Sequence, residues 1–331
     1  MGRGAVIHWL VAGVGDIATK RVIPAILAEP RSRLAAVVTS HPAKAAAYGV
    51  RGYGSLEEGL TDPSVNALYV ATPVALHRGS VLAALAAGKH VLCEKPVAMN
   101  YSEASEMAAA AAASPLVCAV AYYRRLYPKV VEAKRLIAAG AIGRPVLAEL
   151  NCHSWFAPAD GFRGWLIDPR LAGGGPSFDI ASHRIDLLHF LFGKPVRATG
   201  FASNAVHTYA VEDNATVMVE FGGGARGVVD VRWHSRVERD QCRIVGTEGA
   251  LELDPLNGPL LRTPTGDLEL PAHANLHFPI VHDFVNAVLD GRAPACPISE
   301  AIHTDWVTSQ ILRYDEKGPK TPNSHVGQHQ D

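Results

Sequence analysis

Short, mainly apolar runs separated by helix-length stretches fill the first third of the chain. Residues 6–11, 34–38, 67–71, 91–94 and 116–121 read as strands. A helix running to Leu27 follows the first of them, and 43–48, 77–87 and 101–113 read as further helices. Strands without polar alternation are covered on both faces, the condition of parallel strands joined by crossover helices. The pattern therefore predicts a doubly wound sheet whose ligands sit at the carboxyl ends of its strands. From about Arg144 the pattern changes, and strand-like runs dominate at 146–152, 196–202, 215–221, 227–233, 241–245 and 250–253. Gly222-Gly223-Gly224 between two of these is a hairpin signal.

One stretch fits neither pattern. Residues 173–193, GGGPSFDIASHRIDLLHFLFG, read as an apolar helix that carries Asp179, His183 and Asp186 along one side. Pro176 stands where a first helical turn tolerates a residue without an N–H. Spacings of four and three place the three ionisable groups on neighbouring positions of one face. Phe178, Ile180, Ile185, Leu187, Leu188 and Leu191 supply a face to bury. Ionisable groups on a mostly buried helix are costly unless paired or used. A satisfied Asp–His pair in a core accounts for the spacing as well as a functional site does.

Composition narrows the classes. At 331 residues the length prior is about two domains. A formal net charge of −1, with no Lys/Arg-rich run, argues against nucleic acid as a partner. No apolar run reaches membrane-spanning length, so no membrane association is expected. Residues 5–14 form a short run that contains His8 and Trp9 and leads into a glycine turn, the mark of a buried first strand rather than a leader. Val6 replaces the Ser or Thr that a myristoylation start at Gly2 requires. Five scattered cysteines, odd in number and without CxxC spacing, read as free thiols of a reducing cytoplasm.

Three motifs fall at predicted strand ends. Gly13-x-Gly15-x-x-Ala18 fits the dinucleotide fingerprint: Gly13 for the tight turn, Gly15 for close approach to a pyrophosphate, Ala18 for helix packing. After the second strand stands Thr39-Ser40-His41, with no acidic residue between Glu29 and Glu57 to bind a ribose 2′-hydroxyl. With Lys44 or Arg21 nearby, this favours NADP(H) over NAD(H), although the same residues could simply cap the next helix. Ala71-Thr72-Pro73 follows the third strand and Glu94-Lys95-Pro96 the fourth. Pro96 biases Lys95 toward extended backbone, which would present the lysine at a strand tip. An exposed Glu94–Lys95 ion pair is the simpler alternative.

These blocks together resemble the Gfo/Idh/MocA family, the glucose–fructose oxidoreductase and inositol dehydrogenase group. The resemblance rests on GVGDIA at 13–18, ATPVALH at 71–77, AGKHVLCEKPVAM at 87–99, RRLYP at 124–128 and GAIGRPV at 140–146. GGGPSFDIASHRIDLL at 173–188, VEDNATV at 211–217 and VGTEGALELD at 245–254 extend it. It implies an α/β protein: an N-terminal Rossmann domain, taken as 1–122, and a C-terminal α/β domain with a large, mainly antiparallel open sheet, taken as 123–314. Residues 315–331 are expected to form a flexible tail, and the second sheet to build a homodimer or homotetramer.

The resemblance also implies an enzyme, an NAD(P)-dependent oxidoreductase acting on a sugar, cyclitol or sugar-derived ketone. Lys95, Asp179 and His183 match its catalytic trio, and Asp186 is left a supporting role. The cofactor is expected at Gly13, Gly15, Asp16, Ile17, Ala18, Thr39, Ser40, His41, Ala71, Thr72, Pro73, His77, Glu94, Lys95 and Pro96. Tyr123, Arg124, Arg163 and Trp165 are substrate candidates; Trp155, Phe156, Phe162, Arg163 and Trp165 on the loop before the glycines suit sugar stacking and hydroxyl or phosphate binding, or simply pack the domain junction. Val74 and Tyr123 stand where many members have Asn, and Leu166 where relatives often place Arg. Two other classes remain: a non-catalytic sugar- or nucleotide-sensing relative, and a metal-dependent isomerase or hydrolase using His183 with Asp186, or His273, His277 and His282. No HExxH or CxxC framework supports a metal site.

Overall fold

Strand β1 (Ile7–Ala12) is apolar except for His8, and its neighbours share the trait. In the computed structural model, which describes residues 5–158, 163–315 and 318–320, it lies at the middle of a six-stranded sheet. The others are β2 (Ser32–Val38), β3 (Arg51–Tyr53), β4 (Ala67–Val70), β5 (His90–Cys93) and β6 (Cys118–Val120). Their order is β3-β2-β1-β4-β5-β6 and every pairing is parallel. That is the order of dinucleotide-binding sheets, with the topological switch between β1 and β4. The predicted doubly wound sheet is thus observed. The short strand β3 and the helix Leu56–Leu60 after it went unread because neither carries an apolar run of useful length.

The chain divides into two compact units that are interleaved rather than separated by one cut. The first gathers Met1–Ala98, Glu103–Tyr123 and His273–Ile302; the second gathers Met99–Ser102, Arg124–Ala272 and His303–Asp331. The late return has a packing cause. Helix Phe278–Asp290 buries Ile280, Val281, Phe284 and Val285, and the Phe284 ring lies 5.1 Å from that of Trp9 on β1. Arg31 then bonds Asp290 at 2.7 Å, with Asn286 as a further partner. Val120 of β6 donates to the Cys296 carbonyl at 3.0 Å. Helical periodicity reveals that such a helix has a face to bury, but not which sheet it covers.

The second unit is built on a ten-stranded sheet. In chain order its strands are β7 (Pro145–Trp155), β8 (Pro195–Ser203), β9 (Asn214–Phe221), β10 (Arg226–Arg232), β11 (His234–Gly246) and β12 (Ala250–Glu252). To these are added β13 (Leu260–Thr263), β14 (Gly266–Glu269), β15 (Ile311–Asp315) and β16 (Gly318–Lys320). The order is β14-β13-β12-β11-β7-β10-β9-β8-β15-β16. Only β7 with β10 and β8 with β15 run parallel, so the sheet is mainly antiparallel, as expected. In β9, Ala215, Val217, Val219 and Phe221 are buried while Met218 is exposed, the alternation of a sheet packed on one face. Helix Ser182–Phe192 lies against that packed face at β10.

Part of the expected tail is therefore structured. Asp315 ends β15, and Gly318–Lys320 pairs antiparallel with it. Backbone pairing at a sheet edge needs no apolar side chains, so polarity alone did not reveal it. The rest of that expectation, residues 316–317 and 321–331, lies outside the described residues. Among the described residues no helix is long and apolar enough to cross a membrane.

Candidate active site

Where β1 ends, Gly13 adopts φ +88°, and a Cβ there would come 2.7 Å from the Ala71 carbonyl oxygen at the end of β4. Only glycine allows that turn to close over β4. Around the corresponding position of Gly15 there is open space. Beside these glycines lies a cleft of about 630 Å³, within the range of about 300–1,000 Å³ typical of small-molecule and cofactor sites. Gly13, Gly15, Thr39, Ser40, His41 and Thr72, all expected at a cofactor, line it. A turn that lets backbone approach a ligand, open space above it and a cleft at the strand ends fit a dinucleotide.

The remaining expected cofactor residues are distributed around this turn. Asp16 and Ile17 are exposed, Asp16 bonding Lys20 at 2.6 Å, while Ala18 is buried at the start of a wide helical turn, Ala18–Val22. Ala71 lies under Gly13, and Pro73 leads the turn Val74–Leu76. Lys44 also lines the cleft and donates to the Val14 carbonyl at 2.7 Å, which brings a cation to the glycine turn. Glu57 lines it as well, and no role was assigned to it from the sequence. The missed signal was the S-x-x-E pattern of Ser55 and Glu58: Ser55 Oγ accepts the Glu58 N–H at 3.2 Å and starts the helix.

Past the end of β5, Glu94 is buried and not on an exposed surface, as the simpler alternative from the sequence required. Tyr69 Oη donates to Glu94 Oε1 at 2.8 Å, and His277 Nε2 lies 3.1 Å from the same oxygen. Burial by itself would raise the Glu94 carboxyl, but His277, Tyr69 and the Lys95 charge hold it below the usual range. Lys95 is partly exposed, and its backbone N–H faces Glu94 Oε2 at 3.3 Å. His77 is buried with Nδ1 3.0 Å from the Pro96 carbonyl and Nε2 3.1 Å from that of Thr72. Burial lowers the His77 imidazole from its ordinary range. His77 thus stitches the segment after β4 to the one after β5.

In the second unit the helical stretch is continuous but not uniform. Ser177–Ala181 is a wide π turn that passes into the α-helix Ser182–Phe192. Single π turns inside helices recur at functional sites. Asp179 lies in the wide turn and accepts from Arg163 Nη2 at 3.2 Å. His183 opens the α-helical part at 4 % exposure. Asp186 is engaged by Arg125 of the RRLYP block, with Nη2 to Oδ1 at 2.7 Å. Gly175 is fixed by proximity: a Cβ there would overlap the Glu212 carbonyl oxygen. The Glu212 carboxylate accepts the N–H of Gly175 at 2.9 Å and of Ser177 at 3.3 Å, and the Ser177 hydroxyl as well. A carboxylate at a helix start is favoured by the unpaired N–H groups there. The sequence showed the VEDNATV block but not this task.

Among the substrate candidates, Arg163 adopts φ 59° and lies over the Phe156 ring, 5.3 Å from its centroid. Trp165 is 38 % exposed on the turn Gly164–Ile167. Tyr123 packs on the His277 ring at 4.6 Å, and Arg124 donates to Asn257 at 3.3 Å. Phe162 lies outside the described residues.

The histidines considered as metal ligands are engaged separately: His277 with Glu94, His282 with Glu29 at 3.2 Å, and His273 with the Asn275 carbonyl at 2.9 Å. Among the described residues no group of three His, Cys, Asp or Glu side chains converges to hold a metal. None of the five cysteines forms a disulfide, and burial pushes Cys118 and Cys242 up to about 12.

Comparison with known proteins agrees with this architecture. Residues 7–122 match the model of an oxidoreductase family with an NAD-binding Rossmann fold, and residues 130–252 match the GFO/IDH/MocA C-terminal domain. The 1,5-anhydro-D-fructose reductase of Ensifer adhaerens is 33% identical over 294 residues, spanning 85% of this chain and 88% of its own. An aldose–aldose oxidoreductase from Caulobacter crescentus superposes with a TM-score of 0.82 at 26% identity, over 91% of this chain and 95% of its own. GenD2 from gentamicin A biosynthesis, solved in complex with NAD, superposes with a TM-score of 0.81 at 27% identity, over 94% and 95%. With both family models matched and a relative of that identity aligned along most of its length, the chain belongs to the GFO/IDH/MocA family of oxidoreductases and carries its NAD-binding Rossmann fold.

Proposed function

We propose that the protein transfers a hydride between a nicotinamide dinucleotide and a hydroxyl or carbonyl carbon of a sugar, cyclitol or sugar-derived ketone. The observation that carries this reading is the cleft beside Gly13 and Gly15, with Lys95 just past the end of β5 in the same unit. The 1,5-anhydro-D-fructose reductase relative supports the substrate class. When bound, the dinucleotide supplies or takes up the hydride. Thr39, Ser40, His41 and the glycine turn hold it. Lys95 orients the substrate oxygen and stabilises negative charge that develops on it. His183 takes the hydroxyl proton on oxidation and returns it on reduction, a task suited to imidazole. Asp179 tunes these groups from the wide turn before His183. Arg163, Trp165, Tyr123 and Arg124 are read as contacts to the substrate.

NADP(H) is the preferred cofactor in this reading. Thr39, Ser40 and His41 bring no acidic group from β2, and Lys44 adds a cation to the same cleft. The test is a screen of sugars, inositols and sugar-derived ketones, beginning with 1,5-anhydro-D-fructose, that follows NAD(P)H absorbance with both cofactors. Turnover of one of these compounds, faster with NADPH than NADH, is expected. No turnover of any of them, with tight NADPH binding retained, would favour a sensing relative. The open face of the second sheet, with Phe201 and Met218 exposed, is read as a contact between copies, which sedimentation tests.

A further inference from the structure

We propose that His277 is a positioning residue for Lys95 and acts through Glu94. The proposal rests on the reading of Lys95 as a catalytic residue. His277 lies 183 positions from Glu94 and reaches it from the residue just before helix Phe278–Asp290. Its backbone is fixed there: the His277 N–H donates to Asn275 Oδ1 at 3.0 Å, and Asn275 Nδ2 donates to the Arg21 carbonyl at 2.8 Å. The Tyr123 ring packs on the imidazole at 4.6 Å.

The imidazole is 2% exposed, with Nε2 3.1 Å from Glu94 Oε1 and Nδ1 without a hydrogen-bond partner among the described residues. An ionised carboxylate only accepts, so Nε2 carries the proton. The geometry therefore makes His277 a donor aimed at one carboxylate oxygen, to which Tyr69 also donates at 2.8 Å. Held this way, Glu94 turns its other oxygen to the Lys95 N–H at 3.3 Å, just past the last residue of β5. A buried histidine–carboxylate contact is a poor source of stability compared with apolar packing. Its position beside the lysine points to ordering of the strand tip.

The test is acylation of the full-length protein with an amine-reactive acetyl ester, with the rate at each lysine read by peptide mass spectrometry. His277→Phe keeps an aromatic ring beside Tyr123 and removes the donor; His277→Gln keeps an N–H donor. Loosening of the tip is expected to speed Lys95 acylation by about threefold or more in His277→Phe while other lysines keep their rates. His277→Gln should restore most of the wild-type rate. With a substrate from the screen, His277→Phe should lower kcat by about tenfold and leave NADPH affinity unchanged, because the lysine is misplaced but the cleft is intact. Equal Lys95 acylation in wild type and His277→Phe, or equal effects of Phe and Gln, would overturn the proposal. If His277→Phe does not fold, Tyr69→Phe removes the other side-chain donor to the same oxygen and carries the same expectation. Turnover of Lys95→Ala separates the two readings: undiminished turnover refutes a catalytic Lys95, whereas the acylation rates bear on the His277–Glu94–Lys95 link alone.

Discussion

The Arg125 guanidinium meets the Asp186 carboxylate through Nη2 at 2.7 Å and Nε at 3.0 Å, with both side chains 1% exposed. This contact answers why an apolar helix carries a third ionisable residue. Asp186 neutralises a buried arginine, and Arg184 of the same helix reaches Asp240 at 2.8 Å.

Removal of one partner of a buried pair leaves the other charge uncompensated. Asp186→Ala should therefore destabilise the protein by about 3–5 kcal/mol, and Arg125→Met with Asp186→Leu by clearly less. Urea unfolding of the two variants measures this. A loss below about 1 kcal/mol for Asp186→Ala would mean that the pair is not desolvated as described.

Glu212 fixes the entry to the helix that carries Asp179 and His183. Glu212→Ala removes the acceptor for the Gly175 and Ser177 N–H groups and should cost about 1–3 kcal/mol. Hydrogen exchange should rise at the Gly175 and Ser177 amides. Unchanged protection there would contradict the assigned cap.

Asp62 gives a pH signature in the first unit. Ser64 donates to it through its hydroxyl at 2.6 Å and its N–H at 2.9 Å, and Tyr53 Oη donates at 2.7 Å. These bonds lower its carboxyl from 3.8 to about 2. A depressed folded-state value means a contribution that is complete above the unfolded value of 3.8 and lost as pH falls toward about 2. The stability difference between wild type and Asp62→Asn should be constant near neutrality and shrink across that window. A difference independent of pH there would contradict it.

Much of this was legible beforehand because the first sheet's apolar runs are self-evident: 34–38 falls inside Ser32–Val38 and 67–71 overlaps Ala67–Val70. The glycine fingerprint carried its own mechanism, and Gly13 occupies the turn that its spacing required. What stayed hidden depends on long-range pairing. Nothing near His277 in sequence marks it as a partner of Glu94, and nothing near Arg125 marks it as the partner of Asp186. The wide turn at Ser177–Ala181 was also hidden, since the pattern of apolar residues does not distinguish a π turn from an α turn.

The proposed preference for NADP(H) turns on the residues after β2. Thr39→Asp would place a carboxylate in the cleft, where it repels a 2′-phosphate and accepts from a 2′-hydroxyl. Fluorescence titrations should show NADPH affinity falling by about tenfold or more, with NADH affinity held or improved. Unchanged NADPH affinity would mean that the 2′-phosphate lies elsewhere.

In the proposed function Lys95 and His183 carry the proton chemistry while the glycine cleft binds the dinucleotide. Its most direct test is steady-state turnover of Lys95→Ala and His183→Ala on a compound from the screen, with NADPH binding measured on the same preparations. Each variant is expected to lose about 100-fold or more in turnover while binding NADPH nearly as wild type does. Turnover near the wild-type rate in either variant would contradict it.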